Sequence, residues 1–450
     1  MKILKKSIWK FSAPENINLY SDARYWGYCV LFLSAFVYSY LVPITHGFCL
    51  SILTVAFLLI LFACFIYSYR LVSNLSDTHG RNPVFLALIS LFLLHAGVLA
   101  GFLFSGNIES VLWVKDSYDM HVPGALNISR FISGDEPLRP LSGPFDKIYF
   151  THVLVGVSFW LLGDNPISSG IVLLFARGLT VVVIYALARS MFGNKAGAIG
   201  ALIYAFMPTL LFYTTSFYKE AIVQLLVALM IYSFNKILKS TARGWEYLLL
   251  FLSLILIANE RFYLFPMFLA ALVIISVLAF RKIPVFPRIG IIVLAIAGGL
   301  FFFSEYYLWL YSRFLDVPSF FSALRVAYTQ YPDVAPHNAV FPYWMGFVKI
   351  LLTPVFTLNK FAIFSNYAYL LIWGSFFNQI VMLFGLAGIF FNLRLQFKDT
   401  AILVFPFFLF VCLFAYVAPY NGRLRDSFYP VIAVYAGYAM RRLAEKWGEA

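Results

Sequence analysis

The segment from Lys115 to His121 reads Lys-Asp-Ser-Tyr-Asp-Met-His, with two carboxylates three residues apart and an imidazole two residues further on. A carboxylate so placed can take the proton of an acceptor hydroxyl as its oxygen attacks a carbon centre. The i, i+3 spacing puts Asp116 and Asp119 on one face if the segment is helical. The three side chains are also ligand types that a divalent cation accepts, but their spacing is not that of a dedicated metal motif, so no metal ligand is assigned and a divalent cation stays open. A solvated loop with acids in it is the plainer alternative.

Other charged groups stand beside apolar runs. Lys219-Glu220 opens one such run, and Glu260-Arg261 separates two others. Adjacent residues do not face each other on a helix, so each member of these pairs needs a partner elsewhere. Lys219 could hold a phosphate as a point charge or anchor at an interface. Arg423 and Arg425 stand with Asn421 and Asp426 in a short polar stretch near the C-terminus, where two arginines suit a phosphate or a pairing acid. Arg177 falls in the middle of an apolar run, where a charge is costly and turns to the protein interior, to bind an acid or contact substrate. His95, also inside a run, reads as a hydrogen-bonded packing residue. No phosphate-binding glycine loop, Cys/His metal spacing or GxSxG motif is present.

The elements that must position these groups are membrane helices. Of the 450 residues 62% are hydrophobic and only 12% charged, far from the soluble average of roughly 25% charged. Several apolar runs exceed the roughly 18 residues that cross a bilayer. The sequence predicts an all-α polytopic membrane protein with about twelve spans. These fall near 27–42, 48–69, 83–104, 167–190, 196–213, 221–238, 246–258, 262–280, 289–310, 367–391, 401–417 and 427–441. Tyr149 to Leu162 is apolar but too short to cross and reads as an interfacial helix; 346–364 reads as interfacial or re-entrant. Residues 1–26 form a basic amphipathic segment, and 27–450 one transmembrane domain with outer loops at 105–166 and 311–366.

The charge tests this arrangement. The segments proposed to face the cytoplasm hold 20 Lys and Arg against 7 Asp and Glu, and the rest of the chain holds 13 of each. The whole +13 excess thus lies on one side, which puts both termini in the cytoplasm and the Lys115–His121 segment outside it. The basic charge is topological and implies no nucleic-acid partner. The four cysteines lie within apolar runs, where a disulfide framework is not expected, and the basic opening leads into a membrane hairpin without a cleavable signal. No internal repeat supports an inverted-repeat transporter.

Leu173-Leu174-Phe175-Ala176-Arg177-Gly178-Leu179-Thr180-Val181, followed by Tyr185-Ala186-Leu187-Ala188-Arg189-Ser190-Met191-Phe192-Gly193 and Ala201 to Pro208, resembles the C-type membrane glycosyltransferases. More narrowly, the chain is similar to the bacterial protein-mannosyltransferase-like group that uses polyprenyl-phosphate sugars. Phe159-Trp160-Leu161-Leu162-Gly163 fills the interfacial-helix position, and Phe217-Tyr218-Lys219-Glu220-Ala221 looks like the family's basic-acidic pair. Asn421-Gly422-Arg423-Leu424-Arg425 with Pro430 looks like its arginine-rich entry to a final span. The resemblance implies that Asp116 is the general base, although Ser117 stands where many members have a second acid, so Asp119 is the reserve. It also implies that Lys219, Arg423 and Arg425, with His121 and Glu220, contact the substrate.

The expected function is an inverting glycosyltransferase of the cytoplasmic (inner) membrane. It would move a sugar from a polyprenyl-phosphate carrier to a glycan, lipid or protein acceptor of the envelope on the outer face. An envelope polysaccharide polymerase would also place arginines outside, but usually relies on one large late loop. A lipid-linked oligosaccharide flippase or transporter would need charges deep in the membrane, and only Arg177 and His95 lie there.

Overall fold

The computed structural model describes residues 121–138, 148–164, 166–215, 217–261, 263–278, 343–352, 368–417 and 425–448, with single helical positions within 84–95 and 287–293. Asp116, Asp119 and Arg423 lie outside the described residues, as do the predicted spans 27–42 and 48–69, the loop 311–342 and most of the spans 83–104 and 289–310. Among the described residues all regular structure is helical.

In the segment predicted as the first outer loop lies α1 (Val122–Ser133), a helix the sequence does not predict. Its signals are local: a proline in the first turn, and Gly134 at φ 81°, the left-handed conformation that ends helices at little cost to a residue without Cβ. α2 (Phe150–Leu162) matches the predicted interfacial helix. Gly156 of α2 lets the two helices touch, since a Cβ there would sit 2.7 Å from the Ala125 carbonyl oxygen of α1.

The bundle proper contains α3 (Pro166–Phe192), α4 (Asn194–Ala205), α5 (Pro208–Thr215), α6 (Glu220–Leu238), α7 (Gly244–Glu260) and α8 (Leu264–Leu278). After the next described stretch, α9 (Tyr343–Leu352), come α10 (Ala368–Leu395), α11 (Phe397–Val417), a 3-10 turn (Asp426–Phe428) and α12 (Tyr429–Gly448). Among the described residues four helical stretches are long and apolar enough to cross a membrane: Ser168–Phe192, Glu220–Leu238, Phe376–Leu395 and Phe397–Ala415; α4 and α5 together make a fifth. Apolar side chains at turn spacing face outward, such as Leu248, Leu252 and Ile255 on α7, as lipid contact requires. The chain is therefore a multi-pass membrane protein.

One predicted span, 196–213, is corrected to two helices that meet at 55°. The cause is Pro208, which has no N–H to offer the Tyr204 carbonyl four residues earlier. In hydrocarbon the freed carbonyls need another donor. Arg177 of α3 supplies it: its Nη2 lies 3.3, 3.0 and 3.1 Å from the carbonyl oxygens of Tyr204, Ala205 and Met207. The arginine thus caps a broken helix with one of its nitrogens, a cation at the negative end of the dipole. His95 differs from expectation as well. It is buried, but neither ring nitrogen has a hydrogen-bond partner among the described residues.

α12 runs through the centre against α4 and α10. A Cβ on Gly437 would lie 2.5 Å from the Ala196 carbonyl oxygen, and one on Gly388 only 2.0 Å from that of Tyr435. Small residues at these crossings let the backbones come together, the usual device where hydrophobicity cannot drive helices to associate.

Candidate functional site

The two charged pairs flagged in the sequence converge at one end of the bundle and solve each other's pairing. Glu220 opens α6 and is fully buried; its Oε1 accepts from Nη2 of Arg261, the residue that ends α7. Lys219 donates from Nζ to the main-chain oxygen of Glu260 at 2.8 Å. Neither residue faces its sequence neighbour; the pairs are crossed between two helices. Such buried ions demand full pairing, because the desolvation cost of each is several kcal/mol.

The end of α7 also holds α2. Phe150 N–H donates to Asn259 Oδ1 at 2.7 Å, and Thr151 donates to Glu260 Oε1 from its N–H at 2.6 Å and its hydroxyl at 2.9 Å. Asn259 Nδ2 donates in turn to the Ile148 carbonyl at 3.1 Å. The orphan N–H groups that begin α2 are therefore capped from another helix, with a carboxyl at the positive end of the α2 dipole. Burial pushes the Glu260 carboxyl above its ordinary value, against the pull of Lys219, the Thr151 bonds and Arg261.

Around this joint lies an aromatic and imidazole cluster. The Lys219 ammonium sits 3.6 Å from the centre of the Tyr149 ring, a cation–π contact that holds the charge near the surface of the cluster. His152, on the first turn of α2, lies edge-on to Tyr149, and its Nε2 is 3.0 Å from Nδ1 of His121 at the start of α1. Burial and the Lys219 charge push His152 down to about 3, so it is neutral. Burial raises the Tyr149 phenol, with Arg261 opposing the shift.

A second buried knot lies nearby on the 3-10 turn. Asp426 Oδ1 accepts from Arg425 Nε at 3.1 Å and Nη2 at 2.6 Å, and its Oδ2 accepts the Tyr213 hydroxyl at 3.0 Å. Arg425 Nη1 donates to the carbonyls of Ile350 and Leu351 at 3.2 and 2.7 Å, and so caps the end of α9. Gln224 of α6 joins the knot to the core: its Nε2 donates to the Asp426 carbonyl at 2.9 Å, and its Oε1 accepts the Tyr204 hydroxyl. Burial pushes the Asp426 carboxyl up, and the nearby Glu220 adds to that shift while Arg425 and Tyr213 oppose it.

Of the residues singled out in the sequence, His121, Lys219 and Glu220 come together here. Arg425 is only 1% exposed and lies in the neighbouring knot. Four contributors escaped the sequence reading: Tyr149, Thr151, His152 and Asn259. Their signal was present, since Tyr-x-Thr-His and Asn-Glu-Arg are polar clusters bordering apolar helices. What they lacked was any hint that the two borders touch, 109 residues apart in the chain. Among the described residues no group of three or more His, Cys, Asp or Glu side chains is placed to hold a metal.

The opposite end of the bundle has another chemistry. Lys239 donates to the Ser190 carbonyl and Arg441 to that of Phe192, two cations on the last turn of α3. Arg441 also pairs with Glu445 at 2.7 Å.

Residues 149–309, roughly a third of the chain and the stretch that holds α2 through α8, match the model of the dolichyl-phosphate-mannose protein mannosyltransferase family. No curated protein and no solved structure matches. The family match supports a membrane glycosyltransferase of this type and agrees with the resemblance carried by Phe159–Gly193 and Phe217–Ala221. The similarity read at 419–443 lies outside the matched residues.

Proposed function

We infer that the chain is a membrane glycosyltransferase dependent on a polyprenyl-phosphate sugar, and from that premise we propose an inverting transfer to an envelope acceptor on the extracytoplasmic face of the inner membrane. The observation that carries the reading is the meeting of His121, Lys219 and Glu220 at one end of the bundle, within or beside the matched stretch. An acid-base centre reached from the bilayer needs such a place: polar, largely dry and built on helix ends.

In the proposed reaction Asp116 removes the proton of the acceptor hydroxyl as that oxygen attacks the anomeric carbon. The carbon–oxygen bond to the carrier breaks on the opposite side, and polyprenyl phosphate leaves with the bonding pair. Lys219 and Arg423 stabilise the charge that gathers on the phosphate. Arg425 contributes by holding Asp426 and the end of α9. Glu220 keeps Arg261 neutralised so that Lys219 remains the cation nearest the imidazoles.

The test is transfer by purified protein in proteoliposomes, with a labelled polyprenyl-phosphate sugar as donor, a crude envelope fraction as acceptor and no ion gradient. Wild-type protein moves label to the acceptor. Asp116→Asn lowers kcat by about 10²–10⁴-fold, the range for loss of a general base. Full activity in Asp116→Ala overturns the role given to that residue, and absence of transfer by wild-type protein overturns the reading.

A further inference from the structure

Two ring nitrogens 3.0 Å apart, His152 Nε2 and His121 Nδ1, cannot face each other with lone pairs alone; a proton or a metal ion must lie between them. The surroundings decide between the two. His152 stands at the third position of α2, where its Nδ1 accepts the Tyr149 N–H at 3.4 Å and completes a capping box, the task a Glu or Gln performs elsewhere. A neutral imidazole has one N–H, so with Nδ1 accepting, the proton of His152 sits on Nε2 and points at His121. The charged and titratable groups around it are the Lys219 ammonium from before α6, Tyr149 beside it and His121 on α1, with the Glu260 carboxyl of α7 on the adjoining Thr151. The ammonium disfavours a divalent ion there and favours a neutral ring.

The position of His152 is also fixed by shape. Gly124 of α1 lies against the ring, and a Cβ at that residue would stand 2.3 Å from Nδ1. Tyr149 meets it edge-on at 5.0 Å, and the His121 ring is held in turn by Phe217 at 5.8 Å. α1 and α2 thus close on the imidazole from both sides.

We propose that His152 is a positioning residue for the transfer reaction: by donating its Nε2–H to His121 Nδ1, it fixes His121 as the neutral tautomer that carries its proton on Nε2. His121 then serves as a hydrogen-bond donor through Nε2, two residues after Asp119, and does not act as a base. The role in transfer rests on the glycosyltransferase reading; the tautomer does not. Burial and Lys219 keep His152 neutral throughout the working pH range, so the lock does not loosen near neutrality.

The experiment uses the full chain in lipid nanodiscs with 15N-labelled histidine, the six histidines being assigned by single His→Gln variants. His121 is expected to show one protonated Nε2 and one unprotonated, hydrogen-bonded Nδ1, unchanged between about pH 5.5 and 8, the span over which an ordinary histidine titrates. His152→Gln retains an amide donor and preserves both the signature and the pH profile of kcat. His152→Phe and Gly124→Ala release the tautomer, add an acid limb to kcat near the ordinary histidine value of about 6.5, and lower kcat at pH 7 by about tenfold, as loss of one hydrogen bond would. The donor KM stays unchanged. Gly124→Ala leaves both histidines in place, so it separates the lock from a folding defect of His152→Phe. The proposal is overturned if His121 keeps its tautomer in both variants, if wild-type His121 titrates across that range, or if one equivalent of divalent metal is bound and lost in His152→Phe. The resonances need no substrate, so a chain that transfers no sugar but shows the locked tautomer would sink the functional reading alone.

Discussion

Glu260→Ala is the substitution that most directly tests how α2 is held to the bundle. The change removes the acceptor of two hydrogen bonds from Thr151 and leaves the N–H of that residue without a partner at a buried helix start. It also takes a carboxyl from beside Lys219 and Arg261. Breaking a buried charged arrangement by removing one partner costs about 3–5 kcal/mol. If that cost falls on the docking of α2, the amides of Phe150, Thr151 and His152 open about two to three orders of magnitude more often, at about 1.4 kcal/mol per factor of ten. Glu260→Gln keeps an oxygen for Thr151 and resembles the neutral carboxyl that burial favours, so only about 0.5–1 kcal/mol and a roughly two- to fivefold change are expected. Thr151→Ala keeps the N–H bond and loses the hydroxyl bond, at about 1 kcal/mol. Hydrogen–deuterium exchange of the protein in nanodiscs reads all three, with the amides in the middle of α6 as an internal reference. The order Ala, then Gln, then wild type at the start of α2, with α6 unchanged, is the expected result. A change below about threefold in Glu260→Ala would refute the idea that α7 caps α2.

The same carboxyl gives a pH dependence of definite sign. Burial holds Glu260 above its ordinary value of 4.5, so the docked state keeps a proton that the undocked state gives up; docking weakens as pH rises through the raised value, and protection factors in α2 should fall across that rise in the wild type but not in Glu260→Gln. Arg177→Ala should destabilise the fold by about 1–3 kcal/mol in denaturant titrations, because the Ala205 carbonyl at the α4–α5 break loses its donor and those of Tyr204 and Met207 lose one of two, while the donor KM of the folded fraction stays unchanged. A raised KM with unchanged stability would instead place Arg177 on the substrate. Arg425→Lys should fail to replace arginine, since one ammonium cannot grip Asp426 and two α9 carbonyls together; proteolysis after α9 reads the loss. Gly388→Ala forces a Cβ into the Tyr435 carbonyl and should cost more than the usual 1–3 kcal/mol of overpacking, because backbone and not a side chain must move.

The helices themselves were plain in the sequence, because hydropathy and length decide what can lie in a bilayer. The predicted 221–238 and the observed Glu220–Leu238 nearly coincide. The break in 196–213 was announced by Pro208, yet hydropathy averages over a single proline and carries the span through it. The adjacency rule correctly told that Lys219 and Glu220 do not serve each other. It could not say that Glu260 and Arg261, some 40 residues later, would take the complementary parts, since nothing local encodes which helix ends meet. α1 was missed for the opposite reason: its proline and glycine signals were readable, but they lay in a stretch judged by polarity as loop.

The cations show most clearly why residue type alone misleads in such a protein. Arg177, Arg425, Lys239 and Arg441 all bind main-chain carbonyls near the end of a helix. In a bilayer the last carbonyls of each helix have little water to turn to, and a long basic side chain from a neighbour is a ready donor that also suits the helix dipole. A basic residue beside a span therefore has a structural claim on it before any ligand does. Arg425 is taken in this way on Nη1, and its Nε and Nη2 hold the Asp426 carboxyl. Lys219 also donates to a carbonyl at the end of a helix, that of Glu260, but it lies as well over the face of Tyr149 and beside the paired imidazoles. The proposed reaction gives the phosphate-facing role to Lys219 and a structural one to Arg425. Lys219→Met should therefore raise the donor KM and lower kcat together, whereas Arg425→Lys should reduce the amount of folded enzyme and leave the donor KM of what remains unchanged. The reverse pattern would exchange the two roles.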